Sequence, residues 1–151
     1  MKKIRIVQGR GYRTSELGIY EFLERAGYED YADAIWGVYV GGCVGGDSAW
    51  RLFHEIHGHA HNDEVDEWFG WVCILEPKHV LTPTQRLTGT LIHEIAHILA
   101  PNEGHSRRWK RIVTELGAPQ EAKSKKKPLP SIERAHREVR EELRIAARRL
   151  R

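Results

Sequence analysis

The sequence predicts an α+β fold built around one hydrophobic core. Three observations favour this class: two consecutive segments with strand patterning, an amphipathic helix after them, and a second capped helix after that. Of the 151 residues, 40% are hydrophobic and 30% charged, so the chain is long enough for one compact domain with polar length to spare. We expect residues 1–119 to form the folded domain, residues 120–130 a linker, and residues 131–151 a basic amphipathic helix.

The first 46 residues carry weaker signals. Residues 3–7 alternate and predict a short opening strand. Apolar residues at helical spacing, bounded by Thr14-Ser15 and Gly27, predict a helix over residues 15–26. Residues 37–46 combine β-branched residues with glycines, which predicts the end of a strand followed by a flexible loop.

Two segments in the middle of the chain predict a pair of strands. Residues 50–61 alternate in a way that suits a strand with one wetter face. Residues 68–75 form an apolar run rich in strand-forming residues, and Glu76-Pro77 ends it. The acidic stretch 62–67 between them predicts a turn, so we expect the two strands to pair.

The next helix has clear start and stop signals. Thr82 offers the N-cap, Pro83 suits the first helical position, and Gln85 completes a capping box, while Pro101 ends the helix. Its apolar stripe predicts a core helix and consists of Leu87, Leu91, Ile95, Ile98 and Leu99. Burial of this stripe should hold the polar residues beside it in place.

A further helix is predicted after a short turn. Ser106 offers its N-cap, and Gly117 followed by Pro119 closes it. One side of this helix is apolar and carries Trp109, Ile112, Val113 and Leu116. We expect that side to pack on the core.

The core helix carries the sequence His93-Glu94-Ile95-Ala96-His97. Two histidines four residues apart lie on one face of a helix, so their imidazoles can bind one metal ion. Glu94 follows the first histidine directly, which places its carboxylate beside the metal, where it can take a proton from a water. This pattern is typical of zinc peptidases, but it also arises by chance in helices rich in Glu and His, so the surrounding sequence has to decide.

A catalytic zinc ion takes three protein ligands and leaves one position for water, so the motif needs a third donor. His105 is the first candidate, because the turn after Pro101 can bring the chain back and Gly104 can adopt the positive φ that a reversal often needs. Glu103 is the alternative donor, since a carboxylate also binds zinc.

The stretch HEIAHILAPNEGHSRRW resembles the SprT-like zinc metalloproteases, the family that includes the Spartan-type proteases acting on proteins crosslinked to DNA. The shared pattern is HExxH, a short variable turn, Gly-His, and an aromatic residue a few positions later. The resemblance implies a zincin-like core in which His93, His97 and His105 bind one zinc ion, Glu94 is the general base, and Trp109 packs under the site.

The chain departs from this family's pattern in its cysteines. Many members carry a cysteine zinc ribbon after the protease core, whereas no cysteine follows Cys73, so that module is excluded as a route to DNA. The turn between His97 and His105 is short, as in compact members. The only methionine is Met1, so the methionine turn of the metzincins is absent.

A second group of candidate ligands comprises His54, His57, His59 and His61. The last three share a face of a strand, but we expect their side chains to be spaced along it rather than to converge on one ion. Two other interpretations stay open: these histidines line a cleft where an extended substrate adds as a strand, or they form an ordinary solvated face.

The cysteine count excludes two kinds of site. With only Cys43 and Cys73, neither a disulfide framework nor a four-cysteine zinc site is expected. We interpret both as small apolar residues and expect the metal ligands to be histidines or carboxylates.

Charge is divided unevenly along the chain. Residues 1–120 carry 13 Lys and Arg against 16 Asp and Glu, whereas residues 121–151 carry 11 against 5. The basic tail either neutralises phosphates along nucleic acid or is a solvated helix whose apolar stripe packs on the core or on a partner. No aromatic residue follows Trp109, so the tail lacks a platform for base stacking.

Two hypotheses of function follow. The first is a zinc-dependent endopeptidase acting on protein substrates, including DNA-associated proteins. The second is a zinc-stabilised, non-catalytic binding or adaptor domain that acts through the basic tail, and the intact Glu94 counts against it. The sequence contains neither a signal-peptide pattern nor an apolar run of about 18 residues, so we expect a cytoplasmic protein without a membrane partner.

Overall fold

The computed structural model describes residues 3–46, 57–123, 140 and 143–145 and has a mixed α+β fold. The strands are β1 (Arg10–Arg13), β2 (Gly37–Val40), β3 (Gly58–Ala60) and β4 (Trp71–Ile74). The helices are α1 (Ile19–Arg25), α2 (Gly89–Leu99), α3 (Arg107–Glu115) and α4 (Pro119–Ala122), with 3-10 helices at Glu29–Ala34 and Pro77–His79. In these described ranges, no helix has both the length and the apolar character needed to cross a membrane.

The four strands form one sheet in the order β1-β2-β4-β3. β2 runs parallel to β4, while β1 and β3 run antiparallel to their neighbours. The predicted pairing of the two middle segments is confirmed for β3 and β4, where His59 lies opposite Cys73. His54 and the rest of residues 47–56 lie outside the described residues.

The core lies between the sheet and the helices, with α2 at its centre. The buried residues of α2 are Leu91, Ile92, Glu94, Ile95, Ala96, Ile98 and Leu99. The apolar side of α3 is buried as predicted, and Ser106 caps this helix because its Oγ accepts a hydrogen bond from Trp109 N at 3.1 Å. α2 and α3 pack against each other.

α2 begins later than the sequence predicts. Its N-cap is Thr88, whose Oγ1 accepts a hydrogen bond from Leu91 N at 3.1 Å. Gln85 has a φ of 65°, which an α-helix does not allow, and Arg86 N donates to Thr82 Oγ1 at 3.1 Å. Residues 82–86 therefore form a tight turn, and the predicted cap at Thr82 and capping box at Gln85 are wrong.

The predicted opening strand at residues 3–7 is also wrong, because the first strand is β1. Ile4 N donates to Gln85 Oε1 and Val7 N donates to the Tyr12 hydroxyl, each at 2.8 Å. These backbone donors therefore bind side chains instead of a neighbouring strand. α1 is shorter than predicted, since Gly18 precedes it with a φ of 66°.

Candidate metal centres

α2 presents His93 and His97 side by side, as the four-residue spacing predicts, with their Nε2 atoms 3.3 Å apart. The chain then reverses through Asn102 and Gly104, whose φ angles are 64° and 59°. This reversal brings His105 Nε2 to 3.2 Å from His93 Nε2. The three histidines predicted as ligands therefore lie together and are called the three-histidine group below.

The spacing of these nitrogens suits one zinc ion. Zn–N bonds of about 2.0–2.1 Å in tetrahedral geometry place two nitrogen ligands about 3.3–3.4 Å apart. In the structure the separations are 3.3 and 3.2 Å, close to that value. The alternative donor Glu103 is engaged elsewhere, because it accepts hydrogen bonds from Ser106 Oγ at 3.1 Å and from Arg108 at 2.9 Å.

Trp109 lies against all three imidazoles, a position that the resemblance to SprT-like proteases implies. Its ring stacks on His97 with an interplanar angle of 22° and a centroid distance of 5.1 Å. The centroids of His93 and His105 lie 4.7 and 4.5 Å from the indole. Trp109 Nε1 also donates to the His93 carbonyl at 3.3 Å, so α3 supports both the backbone and the side chains of the group.

Glu121 orients His93 and was not singled out from the sequence. It belongs to α4, which occupies the start of the predicted linker and packs on α2 and α3. Burial and then the charge of His105 lower the pKa of His93 to about 4, so its ring is neutral at pH 7. Glu121 Oε1 lies 3.1 Å from His93 Nδ1, and because a carboxylate oxygen accepts, this contact favours the tautomer with the hydrogen on Nδ1. The Nε2 lone pair then faces the other two imidazoles.

Glu94 is a buried carboxyl group beside the three-histidine group. It is 6% exposed, and its Oε1 lies 3.6 Å from His93 Nε2. Burial, reinforced by the charge of Glu121, raises the pKa of Glu94 to about 8. A Cβ atom added to Gly58 would lie 3.3 Å from Glu94 Cγ, so Glu94 lies close to both the His93 imidazole and the edge strand β3.

Four further residues, which the sequence analysis did not combine, form a second group of potential metal ligands. They are Cys43, His59, His61 and Cys73, called the Cys2His2 group below, and their ligand atoms lie within 4.8 Å of one another. The expectation that the strand histidines do not converge is wrong for His59 and His61, whose Nε2 atoms are 3.3 Å apart. His57 instead packs on His79, with ring centroids 4.2 Å apart.

The two cysteines do not have the purely apolar surroundings expected of them. Cys73 is fully buried, yet His61 Nε2 lies 3.4 Å from its sulfur and 3.4 Å from that of Cys43. A hydrogen bond with Cys73 lowers the pKa of the Cys43 thiol, and hydrogen bonds with His59 and His61 act in the same direction. The bond with Cys43 and then burial raise the pKa of Cys73.

The spacing of residues along the sequence did not predict the Cys2His2 group. Its cysteines are 30 residues apart and each is single, so the short paired spacing of common zinc motifs is missing. Only the pairing of β3 with β4, and of β4 with β2, brings these residues together.

Comparisons of the chain with protein-family models, with curated proteins and with solved structures found no match. The described residues by themselves show a mixed α+β protein with two groups of side chains that could hold a metal ion.

Proposed function

We propose that this protein is a zinc-dependent endopeptidase of the zincin-like, SprT-like class. His93, His97 and His105 bind the zinc ion, and Glu94 is the general base. The observation that carries the proposal is the buried Glu94 carboxyl group, 3.6 Å from His93 Nε2, within a group of three imidazoles spaced for zinc. Burying a carboxyl group lowers stability, and a zinc ion with only a structural role does not need one nearby.

In the proposed reaction the metal ion and the side chains of the protein have different roles. Zinc, when bound, supplies a Lewis acid that polarises the scissile carbonyl and lowers the pKa of a water. Glu94 takes the proton from the attacking water and passes it to the leaving amine. Glu121 and Trp109 hold the imidazoles in position meanwhile.

The edge strand β3 supports a polypeptide as the substrate. In the described part of the chain, β3 has a paired strand on one side only. An extended polypeptide can pair with such an edge through its backbone. Because Gly58 of β3 lies against Glu94, a peptide bound there would pass close to the general base.

DNA-associated proteins are a narrower substrate proposal. It rests on the basic tail and on the SprT-like resemblance of residues 93–109. Nucleic acid would then be a partner that concentrates the enzyme near its substrates. The adaptor hypothesis stays the alternative and differs in predicting no turnover.

Replacement of Glu94 by Gln tests the proposal. Glu94→Gln keeps the shape of the side chain and removes the base, so we expect unchanged zinc binding and a fall in cleavage of an unfolded protein by about 10²–10⁴-fold. Glu103→Gln is the matched control, since Glu103 is a neighbouring carboxylate bonded to Ser106 and Arg108, and it should cleave like the parent. Zinc-loaded parent without cleavage, or equal rates for Glu94→Gln and the parent, would exclude the peptidase and favour the adaptor.

A further inference from the structure

We propose that the Cys2His2 group binds a second zinc ion, which stabilises the fold and takes no part in catalysis. The group shares no residue with the three-histidine group. The inference goes beyond the proposed function, because it holds whether or not the protein is a peptidase.

The sheet register places the four side chains together. His59 and Cys73 are directly opposite across the antiparallel β3–β4 pair, so their side chains lie on the same face. His61 is two residues beyond His59 and continues the ladder on that face. Cys43 follows β2, the other neighbour of β4, and Val44 N donates to Cys73 Sγ at 3.4 Å.

The distances fit a tetrahedral site with two nitrogen and two sulfur ligands. Zn–N bonds of about 2.0–2.1 Å and Zn–S bonds of about 2.3 Å place two nitrogens about 3.3–3.4 Å apart and a nitrogen and a sulfur about 3.5–3.6 Å apart. His61 Nε2 lies 3.3 Å from His59 Nε2 and 3.4 Å from each sulfur. Two thiolates and two imidazoles in this arrangement select zinc over harder divalent cations.

Asp66 supports His61 in the way that carboxylates support zinc-bound histidines. Its Oδ2 lies 2.9 Å from His61 Nδ1, and its Oδ1 accepts a hydrogen bond from Trp68 N at 2.9 Å. The carboxylate is therefore fixed by the turn before β4 and selects the tautomer in which Nε2 is free to donate its lone pair. The same arrangement holds His93 through Glu121 in the three-histidine group.

The ligand set indicates a structural role. All four tetrahedral positions are taken by side chains, which leaves none for water or substrate. His59 is the middle residue of the three-residue edge strand β3, and its neighbour Gly58 packs against Glu94. The zinc ion would fasten β3 to β4 and to the segment after β2, and so keep the edge strand against Glu94.

The main competing chemistry is a disulfide between Cys43 and Cys73. Both cysteines are free in the structure, and a disulfide would remove the two sulfur donors that lie 3.4 Å from His61 Nε2. Non-reducing mass spectrometry of freshly purified protein distinguishes a disulfide from two thiolates bound to zinc.

Metal content and cobalt spectra test the proposal directly. By elemental analysis, protein purified without chelator should hold two zinc ions per chain, and Cys43→Ser and His105→Ala should each hold one. Cobalt(II) in place of zinc should give sulfur-to-cobalt charge-transfer absorption in the parent and in His105→Ala, but not in Cys43→Ser. After reloading with zinc, a single ion per parent chain that Cys43→Ser keeps and His105→Ala loses would overturn the proposal. So would a cobalt spectrum without that absorption, or a Cys43–Cys73 disulfide.

A milder variant keeps the test valid if Cys43→Ser fails to fold. Asp66→Asn should weaken zinc binding at the Cys2His2 group by about 10–100-fold and leave the other ion in place. Asp63→Asn is the matched control, because Asp63 lies in the same turn and bonds Val65 N instead of a histidine. Equal zinc retention by Asp66→Asn and Asp63→Asn would count against the site.

Discussion

Glu121 of α4 accepts a hydrogen bond at 3.1 Å from Nδ1 of His93, which lies 28 residues earlier on α2. The contact extends the candidate active site beyond the HExxH motif and the turn that carries His105. It also makes the short helix α4 part of the folded domain rather than of a linker.

Removal of the Glu121 carboxylate should weaken zinc binding at the three-histidine group. Glu121→Ala deletes the acceptor that fixes the His93 tautomer, so we expect zinc affinity at the three-histidine group to fall by about 10–100-fold. Chelator titration followed by native mass spectrometry measures this loss, with His105→Ala as the reference for an absent ion. Glu115→Ala, which removes a carboxylate bonded to Tyr28, should hold its zinc like the parent. Indistinguishable titrations of the two variants would contradict the assigned role.

A methyl group added at Gly58, on the edge strand β3, should displace the Glu94 side chain. The added Cβ would lie 2.9 Å from Ile74 Cδ1, 3.1 Å from the Cys73 carbonyl oxygen and 3.3 Å from Glu94 Cγ. We expect Gly58→Ala to lower the free energy of unfolding by about 1–3 kcal/mol and to reduce cleavage beyond that effect, as measured by urea denaturation and by rates under folded conditions.

Gly11→Ala in β1 is the matched control for that substitution. Its added Cβ would have only ordinary contacts, the nearest being Trp71 ring atoms at 3.5 Å. Its stability and cleavage should stay near those of the parent. Equal losses in the two variants would show that the close approach of Gly58 to Glu94 has no special importance.

The hydrogen bond from Tyr28 to Glu115 should make stability fall in alkaline solution. Burial, and then this bond, raise the pKa of Tyr28 to about 12 from its ordinary value of 10.0. The folded state therefore holds the phenolic proton more tightly than the unfolded state, so this stabilisation is complete below about pH 10 and is lost as the pH rises through about 12. Urea denaturation should show a smaller loss between these two pH values for Tyr28→Phe than for the parent.

Tyr20→Phe is the control for this pH dependence, because Tyr20 is an exposed tyrosine on α1. Its stability should follow the parent's curve. If the free energy of unfolding falls equally between pH 10 and pH 12 in the parent, Tyr28→Phe and Tyr20→Phe, groups other than Tyr28 cause the loss of stability.

Truncation after Lys123 should separate cleavage from nucleic-acid binding. This cut keeps α4 and Glu121 but removes three lysines and seven arginines. We expect duplex DNA to bind the full chain with an affinity that falls steeply with salt, and to bind the truncated chain at least about tenfold more weakly. Zinc content and cleavage of an unfolded protein should be unchanged. Fluorescence anisotropy at two salt concentrations measures the difference, and equal DNA affinities would favour a solvated or docked tail.

Local signals predicted much of the three-histidine group. Helical spacing puts His93 and His97 on one face, Ser106 caps α3 through its own side chain, and Gly104 takes the positive φ that the reversal to His105 needs. Each of these features depends on residues within about one helical turn of one another or on a short connection, so neighbouring residue types are enough to predict it.

Local signals gave the wrong start for α2, because a residue of the predicted capping box bonds to a segment far away in the sequence. Thr82, Pro83 and Gln85 satisfy the rules for a helix start, but Gln85 Oε1 accepts a hydrogen bond from Ile4 N, 81 residues away, and its backbone enters a turn. The helix therefore starts at Thr88 instead.

The sequence by itself determined that α2 and α3 are helices, that Ser106 caps α3, that β3 pairs with β4 across a short connection, and that three histidines lie beside Glu94. Periodicity, capping and short connections act over a few residues, so neighbouring residue types are enough to predict these features. Only the tertiary structure decided that Glu121 orients His93 and that Cys43 and Cys73 lie with His59 and His61. The physical reason is that these contacts depend on which strands and helices become neighbours. Sheet pairing and core packing bring together residues that are 12 to 30 positions apart in the sequence. No pattern of neighbouring residues indicates such contacts.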